Sequence, residues 1–387
     1  MAKLDPMAGL SFGKGVMHFA VTSPADITEA KLDEGMTVFW YGDRPIGHVL
    51  VHKGERVRSR IEHIDADFLF AIDDEFQRPV RPTISASVVI CTRDRPDELS
   101  ACLSSLPRQS YRPREVIVVD NASRDQRTRA VALAAGVTYI REDRPGLDIA
   151  RNTGALRSTS DVVAFADDDV LLHPKWLERL VAAFDQPQIA AVTGLVLPAE
   201  LETEAQRHFE TYWGFGRGYR QQDFDSSRFK SHRHGAFPAW DIGAGASMAF
   251  RREVFEKIGL FDERLDVGRA GCSGDSEYWY RLLANGYSCR YVPSSVAFHF
   301  HRRTMEGLAS QIYYYMRGHV AALLVQYERT GIRANWVRAY LYLPNWYLHR
   351  VLRRIFGRKS MADRFLNEEI AGCVSGLRFY HREGRRN

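Results

Sequence analysis

Val162-Val163-Ala164-Phe165-Ala166-Asp167-Asp168-Asp169 is an apolar run that ends in three carboxylates. The run has the length and composition of a strand buried on both faces. Three like charges at the mouth of such a strand repel one another and resist desolvation, so they call for a cation or a hydrogen-bonding ligand. A solvated turn closing a strand is the plainer reading of an acidic triplet. The residues on the N-terminal side decide between the two.

Upstream, strand and helix patterns alternate. Ser87-Val88-Val89-Ile90-Cys91 is a continuous strand run, and Pro96 suits the first position of a helix whose Leu99, Cys102, Leu103 and Leu106 share one face. Glu115-Val116-Ile117-Val118-Val119 is a second strand, and a helix from Asp125 to Ala135 stops at Gly136. Val137 to Ile140 is a third strand, and a helix containing Ile149 to Leu156 leads into the acidic strand. Alternation at these lengths predicts an α/β fold with a mainly parallel sheet, whose ligands bind beyond the carboxyl ends of the strands. Thr92-Arg93-Asp94-Arg95, Asp120-Asn121-Ala122-Ser123 and the triplet all lie there, so they should converge on one crevice.

The 387 residues, 45% hydrophobic and 12% aromatic, predict a globular chain of two or three domains. Residues 1–82 read as a small β-rich unit, with hairpins suggested by Thr37-Val38-Phe39-Trp40-Tyr41 and His48-Val49-Leu50-Val51, separated by Gly42-Asp43-Arg44-Pro45 and Lys53-Gly54-Glu55. Arg78-Pro79-Val80-Arg81-Pro82 reads as the linker that ends it. Residues 83–303 read as the α/β domain and 304–387 as a basic helical region. From His301 to Asn387 there are 16 Lys and Arg against 6 Asp and Glu, a local charge of +10, against 37 and 42 elsewhere. Five cysteines without C-x-x-C spacing favour reduced thiols and a cytoplasmic location. Neither a signal-peptide pattern over Met1 to Ser23 nor an apolar run of about 18 residues is evident, so secretion and membrane spanning are not expected.

These blocks resemble the family 2 glycosyltransferases, which have the GT-A fold. The resemblance runs from about Ser85 to Arg303 and is carried by Val88 to Thr92, Val118 to Ser123, Ala150-Arg151-Asn152-Thr153-Gly154, Phe165 to Asp169, Gly243 to Arg252 and Gly274-Asp275-Ser276-Glu277. It implies a nucleoside-diphosphate sugar donor, a saccharide or lipid-linked acceptor, and inverting transfer. Thr92 and Asp120 would bind the nucleotide, with Arg93, Arg95, Arg151 and Asn152 near the same pocket. Asp167 and Asp169 resemble the ends of the D-x-D motif that holds ribose and a divalent cation, Mn²⁺ or Mg²⁺. Asp168 belongs to the donor set although alternation turns it elsewhere. Asp275 takes the place of the general base. The family usually shows Glu-Asp there; Gly274 departs from it and makes Glu277 a rival base. A cap of the following helix is the structural alternative for Asp275. His299 and His301 follow the strand Val296-Ala297-Phe298, and one of them is expected to complete the metal site, with His299 favoured.

Other signals are weaker. Gly214-Phe215-Gly216-Arg217-Gly218 lacks the preceding strand of a dinucleotide loop and is read as the start of an irregular, acceptor-facing lid over 214–240. His232-Arg233-His234 is read as solvated. Asn121-Ala122-Ser123 matches a glycosylation acceptor that a cytoplasmic protein would not expose to that machinery. In the C-terminal region Leu348, Val351, Leu352, Ile355 and Phe356 share one helical face opposite Arg350, Arg353, Arg354 and Arg358, a pattern suited either to an anionic membrane surface or to packing on the catalytic domain. Competing functions are a nucleotide-sugar-binding scaffold without turnover and a sugar nucleotidyltransferase; the latter needs a glycine-rich loop after the first strand, where this chain has Thr92-Arg93-Asp94-Arg95-Pro96. A processive synthase would need spanning helices and a Gln-x-x-Arg-Trp signature, which is absent.

Overall fold

The computed structural model describes residues 12–23, 26–27, 32–51, 58–60, 72, 82–232, 235–267, 269–358 and 360–384. Four strands, β1 (Val16–Val21), β2 (Gly35–Tyr41), β3 (Arg44–Val51) and β4 (Arg58–Arg60), make an N-terminal sheet. β2 and β3 form the expected hairpin with a shorter turn, Gly42-Asp43, because Arg44 and Pro45 already pair in β3, whereas β1 pairs parallel to β2. Lys53-Gly54-Glu55, Arg78 to Arg81 and the Arg233-His234 pair lie outside the described residues. Val16, Met36, Val38, Trp40 and Leu50 belong to the same hydrophobic core as the large sheet, so this sheet packs as a layer behind it. Trp40 stacks on His173 at 5.7 Å, and Asp43 pairs with Arg179 and Lys175.

The expected alternation follows as β5 (Ala86–Thr92), α1 (Pro96–Ser105), β6 (Glu115–Asn121), α2 (Arg127–Ala134), β7 (Thr138–Glu142), α3 (Leu147–Arg157) and β8 (Val162–Asp167). β5 is buried at every residue, as its unbroken apolar run requires. α1 starts with Pro96 and carries Asp97 and Glu98 in its first turn, where the helix dipole favours them. β8, β5, β6 and β7 are adjacent and parallel. Cys91 sits beside Asp167 and Thr92 beside Asp120, which brings the three polar strand ends to one edge.

Beyond β8 the sheet turns mixed. β9 (Val170–Leu172), α4 (Trp176–Ala182), β10 (Ile189–Pro198), α5 (Glu204–Trp213), β11 (Gln222–Phe224), α6 (Ser226–Ser231), β12 (Ser247–Arg251), α7 (Glu253–Lys257), α8 (Gly274–Ala284) and β13 (Ser288–His299) complete the domain. The order is β11-β13-β10-β12-β8-β5-β6-β7, with β9 on β13; β12 runs antiparallel to both β8 and β10. The 214–240 segment is less irregular than its composition suggests. It contains β11 and α6, and Phe229 packs against Phe237 and Tyr280 at 5.2 and 4.9 Å.

The C-terminal region is helical: α9 (Met305–Thr330), α10 (Arg333–Val337), a π-helical turn Arg338–Tyr342, α11 (Leu343–Ile355) and α12 (Leu366–Phe379). α12 lies against the backbone of α9 because Gly372 and Gly376, one turn apart, present no side chain there; a Cβ would fall 2.3 Å from the Tyr313 carbonyl oxygen and 2.4 Å from that of Arg317. Among the described residues no helix is long and apolar enough to cross a membrane.

Candidate active site

β8 ends at Asp167, and Asp168-Asp169 make the tight turn into β9. β9 then pairs with β13 so that Val170 faces His299, and Phe300 N donates to the Asp169 carbonyl at 3.0 Å. This pairing sets His299 Nε2 3.2 Å from Asp169 Oδ1. Asp167, Asp169 and His299 each offer a ligand atom, and these atoms lie within 4.8 Å of one another. Two carboxylate oxygens and an imidazole nitrogen are a donor set that suits a small divalent cation.

The triplet's charges are set by their neighbours. Burial opposes the Asp169 carboxylate, but His299 and Arg95 hold its pKa well below the usual range. Burial pushes Asp168 up to about 6, with Asp169 adding to the shift and Arg95 and Thr92 resisting it. Burial also raises Asp167. Arg95 Nη1 bridges Asp168 Oδ1 and Asp169 Oδ2 at 2.8 and 2.9 Å, and Thr92 Oγ1 donates to Asp168 Oδ2 at 2.7 Å. Asp168 is thus engaged by both residues, away from the cation cluster.

Arg151, on α3, reaches Asp148 Oδ1 at 3.1 Å with Nη1 and Asp167 Oδ1 at 3.6 Å with Nη2. Asn152 points the other way: it clamps the backbone of Phe261, donating to its carbonyl at 3.1 Å and accepting from its N–H at 2.9 Å. That removes it from the donor pocket and makes it a tie between α3 and the 261 loop. Asp120 is fully buried, accepting from Tyr139 Oη, Arg141 Nη1 and Ser123 N. Its neighbour Asn121 lines the cavity. Arg93 also lines it and is exposed.

Asp275 stands half-buried in the first turn of α8, where the dipole favours an anion. Its Oδ1 accepts from Ser276 N at 2.7 Å. A Cβ on Gly245 would lie 2.6 Å from Asp275 Oδ2 and 2.9 Å from Arg151 Nη2, so the base candidate and Arg151 converge over a bare backbone. Glu277 is corrected from its rival role. It is fully buried and locked to Arg281 Nη2 at 2.8 Å, with Arg329 Nε at 3.5 Å, and is absent from the cavity wall. The i,i+4 spacing of Glu277 and Arg281 was the sequence signal for this fate. His301 is likewise removed from the metal: its Nε2 faces Glu210 at 3.1 Å, while its Nδ1 lies 3.0 Å from His299 Nδ1. It orients the histidine that faces Asp169.

Sequence reasoning missed Asp148. Its carboxylate occupies the space where a side chain at 274 would go; a Cβ there would lie 1.9 Å from Asp148 Oδ2. Gly274 is therefore the vacancy that admits a second carboxylate next to Asp275, which accounts for the departure from the Glu-Asp pattern. Burial pushes the pKa of Asp148 up to about 7, with Asp266 and Asp275 adding to the shift against Arg151. Gly274→Ala should cost roughly 1–3 kcal/mol of stability through overpacking. Thermal unfolding should find that cost largely absent in an Asp148→Ala background; strictly additive losses would show that the two positions do not compete.

Arg95, Asp148, Arg151, the three carboxylates of the triplet, Asp275 and His299 border one cavity of about 1610 Å³, which continues past Asp275 to Tyr314, Tyr315, Trp346 and Tyr347. Residues 87–259 match the sequence profile of Glycosyl transferase family 2. The chain is 28% identical over 196 residues to the glucosyl-dolichyl phosphate glucuronosyltransferase of Haloferax volcanii, covering 49% of this chain and 58% of that one. It is 26% identical over 281 residues to the glycosyltransferase AglE of the same organism, covering 69% and 85%. A solved structure of the mannosyltransferase PcManGT from Pyrobaculum calidifontis, in complex with GDP-Man and Mn²⁺, superposes with a TM-score of 0.52 at 19% identity over 81% of this chain and 94% of that one, a likeness of fold. Residues 87–259 thus carry the sequence pattern of glycosyl transferase family 2, on a chain with the GT-A fold.

Proposed function

We propose that the chain is an inverting, divalent-metal-dependent glycosyltransferase that moves a sugar from a nucleoside-diphosphate donor to a hydroxyl of a saccharide or lipid-linked acceptor. The observation that carries this reading is the cluster of Asp167, Asp169 and His299 in the same cavity as Asp275. Asp167, Asp169 and His299 would hold Mn²⁺ or Mg²⁺, which when bound supplies positive charge to a leaving diphosphate. Arg93, Arg95 and Arg151 add fixed cations along that wall. Thr92 and Asn121 border the nucleotide end, with Asp120 behind them. Asp275 Oδ2, in the first turn of α8 and facing the cavity, takes the proton of the attacking hydroxyl. Residues 83–303 are the catalytic domain in this reading, with the β1–β4 sheet behind it and α9 to α11 enclosing the acceptor end. A thermal-shift screen against nucleoside diphosphates and their sugars, with and without Mn²⁺, tests the reading. At least one should stabilise the chain only when the metal is present. Stabilisation without turnover of any donor would favour the scaffold reading, and no response at all would remove the donor site.

The acceptor side adds a membrane surface to this proposal. On α11 the apolar face is exposed and one arginine turns inward: Arg350 is buried, paired with Asp363 and Glu369 at 2.7 and 2.6 Å, while Leu348, Leu352, Ile355 and the adjoining Phe356 are 54%, 39%, 69% and 78% exposed. Exposed Arg353, Arg354 and Arg358 stand among them, and Tyr342 and Trp346 carry the apolar surface to the rim of the cavity. An apolar helix face bordered by arginines fits the interface of an anionic bilayer. Sedimentation with phosphatidylglycerol vesicles at low salt should carry the chain down, and Ile355→Asp/Phe356→Asp should lower the partition constant at least about tenfold. A chain that stays in the supernatant at low salt sinks the membrane contact.

A further inference from the structure

The cavity has a second polar end. Where it runs beneath α9 toward α11 it is lined by Trp240, His319, Arg338, Tyr342 and Trp346. The Arg338 guanidinium lies 4.5 Å from the centre of the Trp240 ring, and its Nε donates to His319 Nε2 at 3.4 Å. Trp240 and His319 meet edge to face at 4.8 Å. Burial pushes the His319 pKa down to about 3, with Arg338 acting in the same direction, so the imidazole is neutral and serves Arg338 as an acceptor.

Arg338 differs from the other arginines of the cavity that are not exposed. Arg95 and Arg151 are held by carboxylates, and Arg217 is turned onto the carbonyls of Gly214, Gly216 and Trp240. No carboxylate among the described residues forms an ion pair with Arg338; Asp241 acts on it only through space, against a burial that disfavours its charge. A partly desolvated guanidinium facing a cavity is stabilised by an anion, and its planar fork matches carboxylate and phosphate. The backbone is a second, independent observation. Arg338–Tyr342 is a single π-helical turn set between α10 and α11, a geometry that weakens helix hydrogen bonding and recurs at functional sites. Both of its ends, Arg338 and Tyr342, line the cavity.

We propose that Arg338, seated on Trp240 and His319, is the anion subsite of the acceptor end of the cavity, and that the acceptor carries a carboxylate or phosphate group. The identification of this end with the acceptor rests on the transferase reading above; the anion site does not. Tyr342 and Trp346 supply flat apolar walls on which a sugar ring can lie while Arg338 holds its charged substituent.

The test is a tryptophan-fluorescence titration of the full chain with glucuronic acid, glucose 6-phosphate and glucose. The donor end is first filled with Mn²⁺ and the nucleoside diphosphate that the thermal-shift screen selects, or with UDP and GDP together if it selects none. The wild-type chain should bind at least one of the two anionic sugars about tenfold or more tightly than glucose, the worth of one charge-assisted hydrogen bond. Arg338→Gln should erase that preference and Arg338→Lys should keep part of it, with nucleotide binding and melting temperature unchanged in both. Which anionic sugar is preferred tells carboxylate from phosphate. No preference in the wild-type chain, undetectable binding of all three sugars included, overturns the proposal, as does a preference that survives in Arg338→Gln. If no nucleotide binds but the anion preference holds, the transferase reading fails and the subsite stands.

Discussion

Asp275→Asn is expected to lower sugar transfer by roughly 10²–10⁴-fold, the usual worth of a positioned general base, while nucleoside-diphosphate affinity stays within about twofold of wild type. The substitution keeps the shape and the acceptor oxygen that takes the Ser276 N–H, so α8 retains its first turn. What it removes is the oxygen that converges with Arg151 above Gly245 and could take a proton from an acceptor hydroxyl. Steady-state kinetics with the donor selected by thermal shift, beside a direct nucleotide titration, separates the two effects. A variant that turns over at the wild-type rate would remove Asp275 from the mechanism. Glu277→Gln gives the contrast: its carboxylate serves Arg281 and Arg329, so that change should lower the melting temperature and leave the kcat of the folded enzyme near wild type.

Asp169→Ala should weaken Mn²⁺-dependent nucleotide binding by about 100-fold or more, because it deletes a ligand atom outright where loss of a supporting partner already costs 10–100-fold. The same change frees His299 Nε2 and removes one of the two acceptors of Arg95 Nη1. Titration in the presence and absence of Mn²⁺ distinguishes metal loss from general damage: the metal-dependent part of the affinity should vanish and the metal-free part should persist. Retention of the full Mn²⁺ effect would sink the metal site. Asp168→Asn is the companion measurement. Its carboxylate is engaged by Thr92 and Arg95, so its loss should loosen that loop and leave a smaller defect in metal dependence.

The parallel half of the sheet was legible because its signals are local. A buried strand must be apolar along its whole length, a helix start takes Pro96 and Asp97, and both patterns repeat from Ala86 to Asp167. From them came the convergence of Thr92, Asp120 and the triplet, and with the motif order the family and the candidate base. Two of the departures share one cause, and a third has another. Asn152 and Glu277 were assigned to the site by proximity in sequence to residues that are in it, yet on a helix neighbouring side chains point to different faces. Arg350 was expected on the outer face of α11, and two acids from beyond the end of that helix draw it inward.

The sequence by itself determined which strands are buried, where each one ends and which polar groups stand at those ends, since apolar periodicity and turn chemistry act over a few residues. Only the tertiary structure decided the partners. Pairing of β9 with β13 sets His299 rather than His301 against Asp169, 130 positions earlier in the chain. The meeting of α3 with the start of α8 fills the vacancy at Gly274 with Asp148. The π-helical turn carries Arg338 to the far end of the same cavity. Each is a contact between segments whose spacing in sequence carries no period, and it exists because burying one shared core leaves those side chains a single place to go.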